Sequence, residues 1–150
     1  MFWFRTLLHT AGRLVATYPG TAKWMLMHGP TVTAALPILE AGIAVLRESG
    51  FGARTSFAYA ALFNNAMLTV SLNDDRLQHE GDGPRDHATM MEEFRRMPTA
   101  SPHAHDLGRE IIGPFAEGGQ TAVQTRWAYY DFVVDTTIAG LDASLRPTAG

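Results

Sequence analysis

The stretch ARTSFAYAALFNNAMLTVSLN, Ala53–Asn73, decides the fold. Phe57, Ala58, Tyr59, Ala60, Ala61, Leu62, Phe63, Ala66, Met67, Leu68, Val70 and Leu72 put apolar side chains on nearly every side of a helix. A helix that is hydrophobic all round has to be covered all round. In a chain of 150 residues, part of that cover is expected from a second copy. The stretch is not a membrane span. Its most apolar part, Phe57 to Leu72, carries Asn64 and Asn65 in the middle and falls short of the roughly 20 residues that a span requires.

Working outward, helices follow one another and no sheet is expected, because no sustained period-2 alternation is bounded by hairpin turns. A first helix is predicted from about Phe2 to Thr17, with Phe4, Leu7, Leu8, Ala11, Leu14 and Val15 on one stripe, stopped by Tyr18-Pro19-Gly20. A short helix spans Thr21–Met27, with Thr21 as N-cap and Gly29 as a left-handed cap. A third spans Thr31–Ser49 on the stripe Leu36, Leu39, Ile43, Leu46, with a kink or a start nearer Ala35 because of Pro37. After Ala53–Asn73, the polar run Asp74–Asp86 reads as a loop. A fifth helix covers Arg85–Met97 and stops at Pro98. Ser101-Pro102 opens a short helix to about Ile112, and Gly113-Pro114 and Gly118-Gly119 break the chain. The last helix runs from about Thr121 to Leu145, ended by Pro147.

Length and composition fit one folded domain: 46% of the residues are hydrophobic and 18% charged, which excludes a disordered chain. Eleven of the twelve basic residues are arginines, scattered from Arg5 to Arg146, against fifteen acidic residues, for a net charge of -3. There is no basic stripe to grip a phosphate backbone, so no nucleic acid is expected to bind this chain alone. The absence of cysteine excludes disulfides and thiolate metal sites and fits a cytoplasmic protein. The opening Met-Phe-Trp-Phe-Arg lacks the basic start of a signal peptide.

Four passages in this order resemble the C-terminal regulatory domain of the tetracycline-repressor (TetR) family of transcription factors. The first is Tyr18-Pro19, a short apolar helix, then Gly29-Pro30. The second is Leu36-Pro37-Ile38-Leu39-Glu40-Ala41 through Leu46-Arg47-Glu48-Ser49-Gly50-Phe51. The third is the apolar helix Ala53–Asn73. The fourth is Tyr130-Asp131-Phe132-Val133-Val134-Asp135-Thr136-Thr137-Ile138-Ala139-Gly140-Leu141-Asp142-Ala143, with Val133 where many relatives have glycine. The resemblance implies an all-α multi-helix bundle that binds a small molecule inside and forms a homodimer through its two long helices, here about 53–73 and 121–145. It also implies an N-terminal helix-turn-helix domain, which is expected to be missing from this chain.

The seam that this implies would draw on Met67 and Val70 from the first long helix and on Trp127, Tyr130, Val134, Thr137, Gly140 and Leu141 from the second. Gly140 costs about 1 kcal/mol relative to alanine inside a helix, and close approach of another helix is a physical reason to keep it. The pocket for a small apolar effector would be lined by Trp24, Met27 and His28, by Tyr59, Phe63 and Asn64, and by Met90 and Phe94. Methionine and aromatic side chains suit an adaptable apolar pocket, with the histidine and the amide as polar handles.

Each of these also reads as ordinary core. The Met90, Met91, Phe94, Met97 stripe fits packing, His28 fits a helix end, and one of Asn64 and Asn65 could simply bond a neighbour. His103-Ala104-His105-Asp106 invites a metal reading, but its two histidines point about 200° apart on a helix, and metal pairs need i, i+3 or i, i+4 spacing. His79, Glu80, Asp82, Asp86 and His87 make a loop of hard ligands without a metal-loop pattern. No cofactor, metal or catalytic residue is therefore expected. Two rival readings remain: a helical-bundle metal-dependent hydrolase using the His103–Asp106 and His79–His87 segments, and an oligomerisation module with a filled interior.

Overall fold

The apolar stripes fold as helices in the computed structural model, which describes residues 1–29, 31, 33–96 and 102–145, apart from the side chains of Pro102 and His103. The order is α1 (Phe2–Val15), α2 (Thr21–His28), α3 (Leu36–Glu48), α4 (Thr55–Gln78), α5 (His87–Arg96), α6 (Pro102–Leu107), a π-helical turn Gly108–Ile112, α7 (Gly113–Glu117) and α8 (Gly119–Ser144). No strand occurs among the described residues, so the protein is all-α. Met97, the Pro98 stop, Ser101 and the Pro147 stop lie outside the described residues. The chain forms two compact units, one made of residues 1–72 with the chain from Tyr130 onward, the other of Asn73–Tyr129.

Glycine and proline set most helix ends. Gly20 precedes α2 at φ +84 and is its N-cap in place of the expected Thr21. Gly29 closes α2 as expected, but at φ +67 and ψ -175 it is in an extended glycine conformation and not the expected left-handed one. Pro37 sits in the first turn of α3, where its missing N–H has no partner to lose, so the helix starts at Leu36 instead of kinking. Two boundaries differ from the sequence expectation. α4 continues to Gln78, because Asn73, Asp74, Asp75 and Arg76 are tolerated by a helix whose preceding turns are already nucleated. Gly113-Pro114 does not break the chain. Pro114 has no N–H to give to Glu110 and its ring crowds that carbonyl. The turn before it opens into the wider Gly108–Ile112 form and helix resumes.

In the first unit the buried positions include Phe4 and Leu8 of α1, Ala22 of α2, Leu46 of α3, Phe51 after it, Ala58, Leu62, Ala66, Met67 and Val70 of α4, and Tyr130, Val134 and Ile138 of α8. Ala58, Leu62, Ala66 and Val70 repeat every four residues, as do Tyr130, Val134 and Ile138; α4 also buries Met67, Thr69 and Ser71, so its second half is covered over a wider band than one stripe. Met67, Val70, Tyr130 and Val134, expected at a seam between copies, lie inside the chain's own core. Any seam therefore falls on the opposite faces, where α4 exposes Phe57 and Leu68 and α8 exposes Phe132 and Gly140. The expected interface residues Trp127, Thr137 and Leu141 are half-buried.

Two glycines set the helix spacing of this core. A side chain at Gly12 would overlap the Tyr130 hydroxyl and ring, and that hydroxyl donates a 2.7 Å hydrogen bond to the Leu8 carbonyl. Burial pushes the Tyr130 phenol well above its ordinary range, so it remains a donor. A Cβ at Gly42 would stand 3.1 Å from both Phe4 and Tyr59, so α3 lies directly against an aromatic group in which Phe4 meets Tyr59 edge-on at 6.3 Å. At the surface, α1 is tied to α8 by charge. The two ring nitrogens of His9 face Asp131 at 2.8 Å and Asp135 at 3.4 Å, and Arg5 reaches Asp135 at 3.0 Å. Such half-exposed pairs contribute about 0–1 kcal/mol each. They fix orientation more than stability.

No single helix among the described residues is long and apolar enough to cross a membrane.

Candidate functional site

The second unit holds two concave features. The first is a cleft of about 830 Å³. One wall is α5, which presents Phe94 and Arg95. The other is the segment from α6 through the π-helical turn to α7, which presents His105, Gly108, Arg109 and Pro114. α5 packs on α7 and on the π-helical turn, so the irregular turn forms part of the cleft wall. Turns of this kind occur often at functional sites.

The rim of the cleft is charged. Arg95 grips Glu92 through two bonds of 2.6 and 2.7 Å, and Arg96 adds a third at 2.8 Å. These donors, Arg95 first, hold the Glu92 carboxyl down to about 2. Arg109 pairs with Glu110 at 2.9 Å and Asp106 at 3.3 Å. Phe94, Ala104, Pro114 and Ala116 supply the apolar part. The volume lies within the roughly 300–1,000 Å³ of small-molecule sites. The lining suits a molecule with an apolar body and polar ends.

The start of α5 is fixed by Asp86, whose carboxylate accepts from the Thr89 backbone N–H at 3.0 Å, the Thr89 hydroxyl at 2.6 Å and the Gly81 N–H at 3.2 Å. The Thr89 hydroxyl leads in holding this carboxyl below its usual range. The stabilisation is therefore complete above the unfolded carboxylate value, about pH 4, and is lost as the pH falls through the lowered folded value. Amide exchange in the first turn of α5 is expected to speed up in Asp86→Ala but not in Asp86→Asn, since the amide oxygen still caps. Equal exchange in Asp86→Ala and the parent would remove Asp86 as the cap.

The second feature is a cavity of about 180 Å³ bordered by Arg76, His87, Phe115, Gly118, Val123 and Arg126, among others. The His87 ring meets Phe115 at 4.9 Å and the Arg76 guanidinium lies 5.6 Å from the same ring. His87 Nε2 and Arg126 Nε are buried without a hydrogen-bond partner among the described residues. Burial first, then Arg76 and Arg126, pushes the His87 pKa down.

The residues expected to line one apolar pocket are placed differently. Trp24 and His28 pack on each other at 5.2 Å on a largely exposed helix, and Met27 is 71% exposed. Tyr59 and Phe63 stack at 6.2 Å, with Tyr59 engaged on Phe4. Asn64 is exposed, while its neighbour Asn65 donates to the Thr137 hydroxyl at 3.2 Å. These belong to the first unit, Met90 and Phe94 to the second. Of the whole set, only Phe94 borders the cleft or the cavity just described; Met90 is exposed.

The hard-ligand segment is divided among separate tasks: His79 and Arg85 pair with Asp82, Asp86 caps α5, and His87 faces Phe115. Among the described residues no group of three or more His, Asp or Glu could hold a metal ion. Sequence reasoning missed Arg76 and Arg126, which stand 50 positions apart and carry no local motif.

No family model matches this chain, and neither does any curated protein or solved structure.

Proposed function

We propose that this chain is the effector-sensing and dimerising part of a TetR-type transcriptional regulator, acting in the cytoplasm. The observation that carries the reading is the apolar surface left on the two long helices. Phe57 is 76% exposed and Leu68 49% on α4, and Phe132 is 65% exposed on α8. α4 and α8 meet at the Asn65–Thr137 bond in the same unit. Large apolar groups concentrated on two neighbouring helices mark a partner surface, and a second copy placing the same two helices against them would build a four-helix seam. The order of helices and the four passages that resemble the family give the same two helices this role.

The sensing role falls to the cleft beside Phe94 and the π-helical turn. In this reading DNA is contacted by a helix-turn-helix segment and not by these residues, whose net charge is -3.

A thermal-shift screen of amphiphilic metabolites and dyes tests the sensing role. A ligand at one hundred times its dissociation constant stabilises the folded state by about 2.7 kcal/mol, and each kcal/mol raises the melting temperature of a domain near this size by roughly 2–4 °C. Hits of several degrees are expected. Gly108→Phe should abolish them, because a Cβ at Gly108 meets nothing within 4 Å and the ring would fill the cleft. A screen without hits, or hits that persist in Gly108→Phe, would leave dimerisation as the remaining role.

A further inference from the structure

The unit Asn73–Tyr129 gathers two arginines where no carboxylate answers them. Arg76 comes from the last turns of α4 and Arg126 from α8, and both border the 180 Å³ cavity. Neither forms an ion pair among the described residues. Their charges act on each other: burial leads in pushing Arg76 down, and the Arg126 charge adds to it. Two acids also border the cavity, Asp86 and Glu80. Asp86 is already engaged by Thr89 and Gly81, and Glu80 is exposed.

Buried polar atoms without partners are rare in native proteins, and each requires an explanation. Here two such atoms, Arg126 Nε and His87 Nε2, belong to side chains on the wall of one cavity. Unpaired like charges at such a site raise the free energy of the empty protein and are relieved by an anion. The rest of the wall is apolar: Leu77, Ala88, Phe115 and Val123. Gly118 and Gly119, at φ +73 and +51, bring backbone to the cavity without side chains.

We propose that this cavity is a binding site for a small carboxylic acid with an apolar body, its carboxylate held by Arg76 and Arg126 and its body against Phe115 and Val123. A guanidinium offers a planar fork that matches a carboxylate. His87 Nε2 supplies a further polar contact. The cavity, about 180 Å³ and partly open to solvent, has room for a short-chain or single-ring acid. This assignment stands on the second unit alone and does not depend on the regulatory reading.

Calorimetric titration of the full chain with benzoate, benzamide and inorganic phosphate, in separate runs, tests it. Benzoate should bind, and benzamide, the same body without the charge, should bind at least tenfold more weakly. Arg126→Gln and Arg76→Gln should each weaken benzoate about tenfold or more, the loss typical of a charge-assisted hydrogen bond. Folding of each variant is checked by circular dichroism. Absence of benzoate binding to the parent protein overturns the proposal whatever the variants do. So does benzamide binding as tightly as benzoate, or benzoate binding unchanged in a folded glutamine variant. Phosphate binding more tightly than benzoate overturns the carboxylate assignment.

Discussion

Tyr130→Ala is expected to lower stability by about 3–5 kcal/mol, the usual cost of deleting a fully buried aromatic ring, and the melting temperature by roughly 6–20 °C. The ring is fully buried, faces Gly12 of α1, and its hydroxyl bonds Leu8 in the same helix. Tyr130→Phe, which keeps the ring and loses the bond, should cost only about 1 kcal/mol. Gly12→Ala supplies the sharper measurement. Intrinsic helix propensity favours alanine by about 1 kcal/mol, but the new methyl would overlap the Tyr130 hydroxyl, and overpacking of this kind costs about 1–3 kcal/mol. The net effect is expected to be destabilising. In the Tyr130→Ala background the same methyl enters empty space, so the penalty should vanish and the pair should show a large coupling energy. A Gly12→Ala protein that melts higher than the parent would contradict this account of how α1 sits on α8.

Self-association is the second large effect. Light scattering at low micromolar concentration should report about twice the 16.4 kDa of one chain, through an apolar seam of the size obligate dimers use. Phe132→Asp or Leu68→Glu should raise the dissociation constant about thirtyfold or more, as truncating an interface anchor does. Gly140 separates seam from fold. Alanine there meets no atom within 4 Å inside one chain and improves helix propensity by about 1 kcal/mol, so the monomer should gain stability. Gly140→Leu should weaken the dimer by keeping the helices apart. A parent protein that stays monomeric, or a dimer indifferent to Phe132→Asp, would remove the four-helix seam.

The helices were legible because glycine and proline mark their ends. Gly29, Gly50 and Pro37 act through backbone geometry that needs no distant partner. The extension of α4 through Asp74 to Gln78 was not legible, because a polar run reads as loop unless the helix before it is known to be stable. The π-helical turn before Pro114 was equally hidden, since proline reads as a stop when no wider turn is considered. How the expected pocket residues pack was hidden for a related reason. Tyr59 and Phe63 have the composition of a pocket wall, yet Gly42 lets α3 close on Tyr59.

Amino-acid order alone determined that the chain is all-α, where most helices begin and end, and that the helix Ala53–Asn73 carries more apolar surface than one face can bury. It could not determine which face of α4 turns inward. Periodicity carries phase only when apolar and polar residues contrast, and a helix apolar all round has none. Tertiary structure made that choice: Ala58, Leu62, Ala66 and Val70 went inward, leaving Phe57 and Leu68 outside. It also brought Arg76, His87 and Arg126 to one cavity. Their convergence depends on how three helices pack, and no local stretch of sequence encodes that packing.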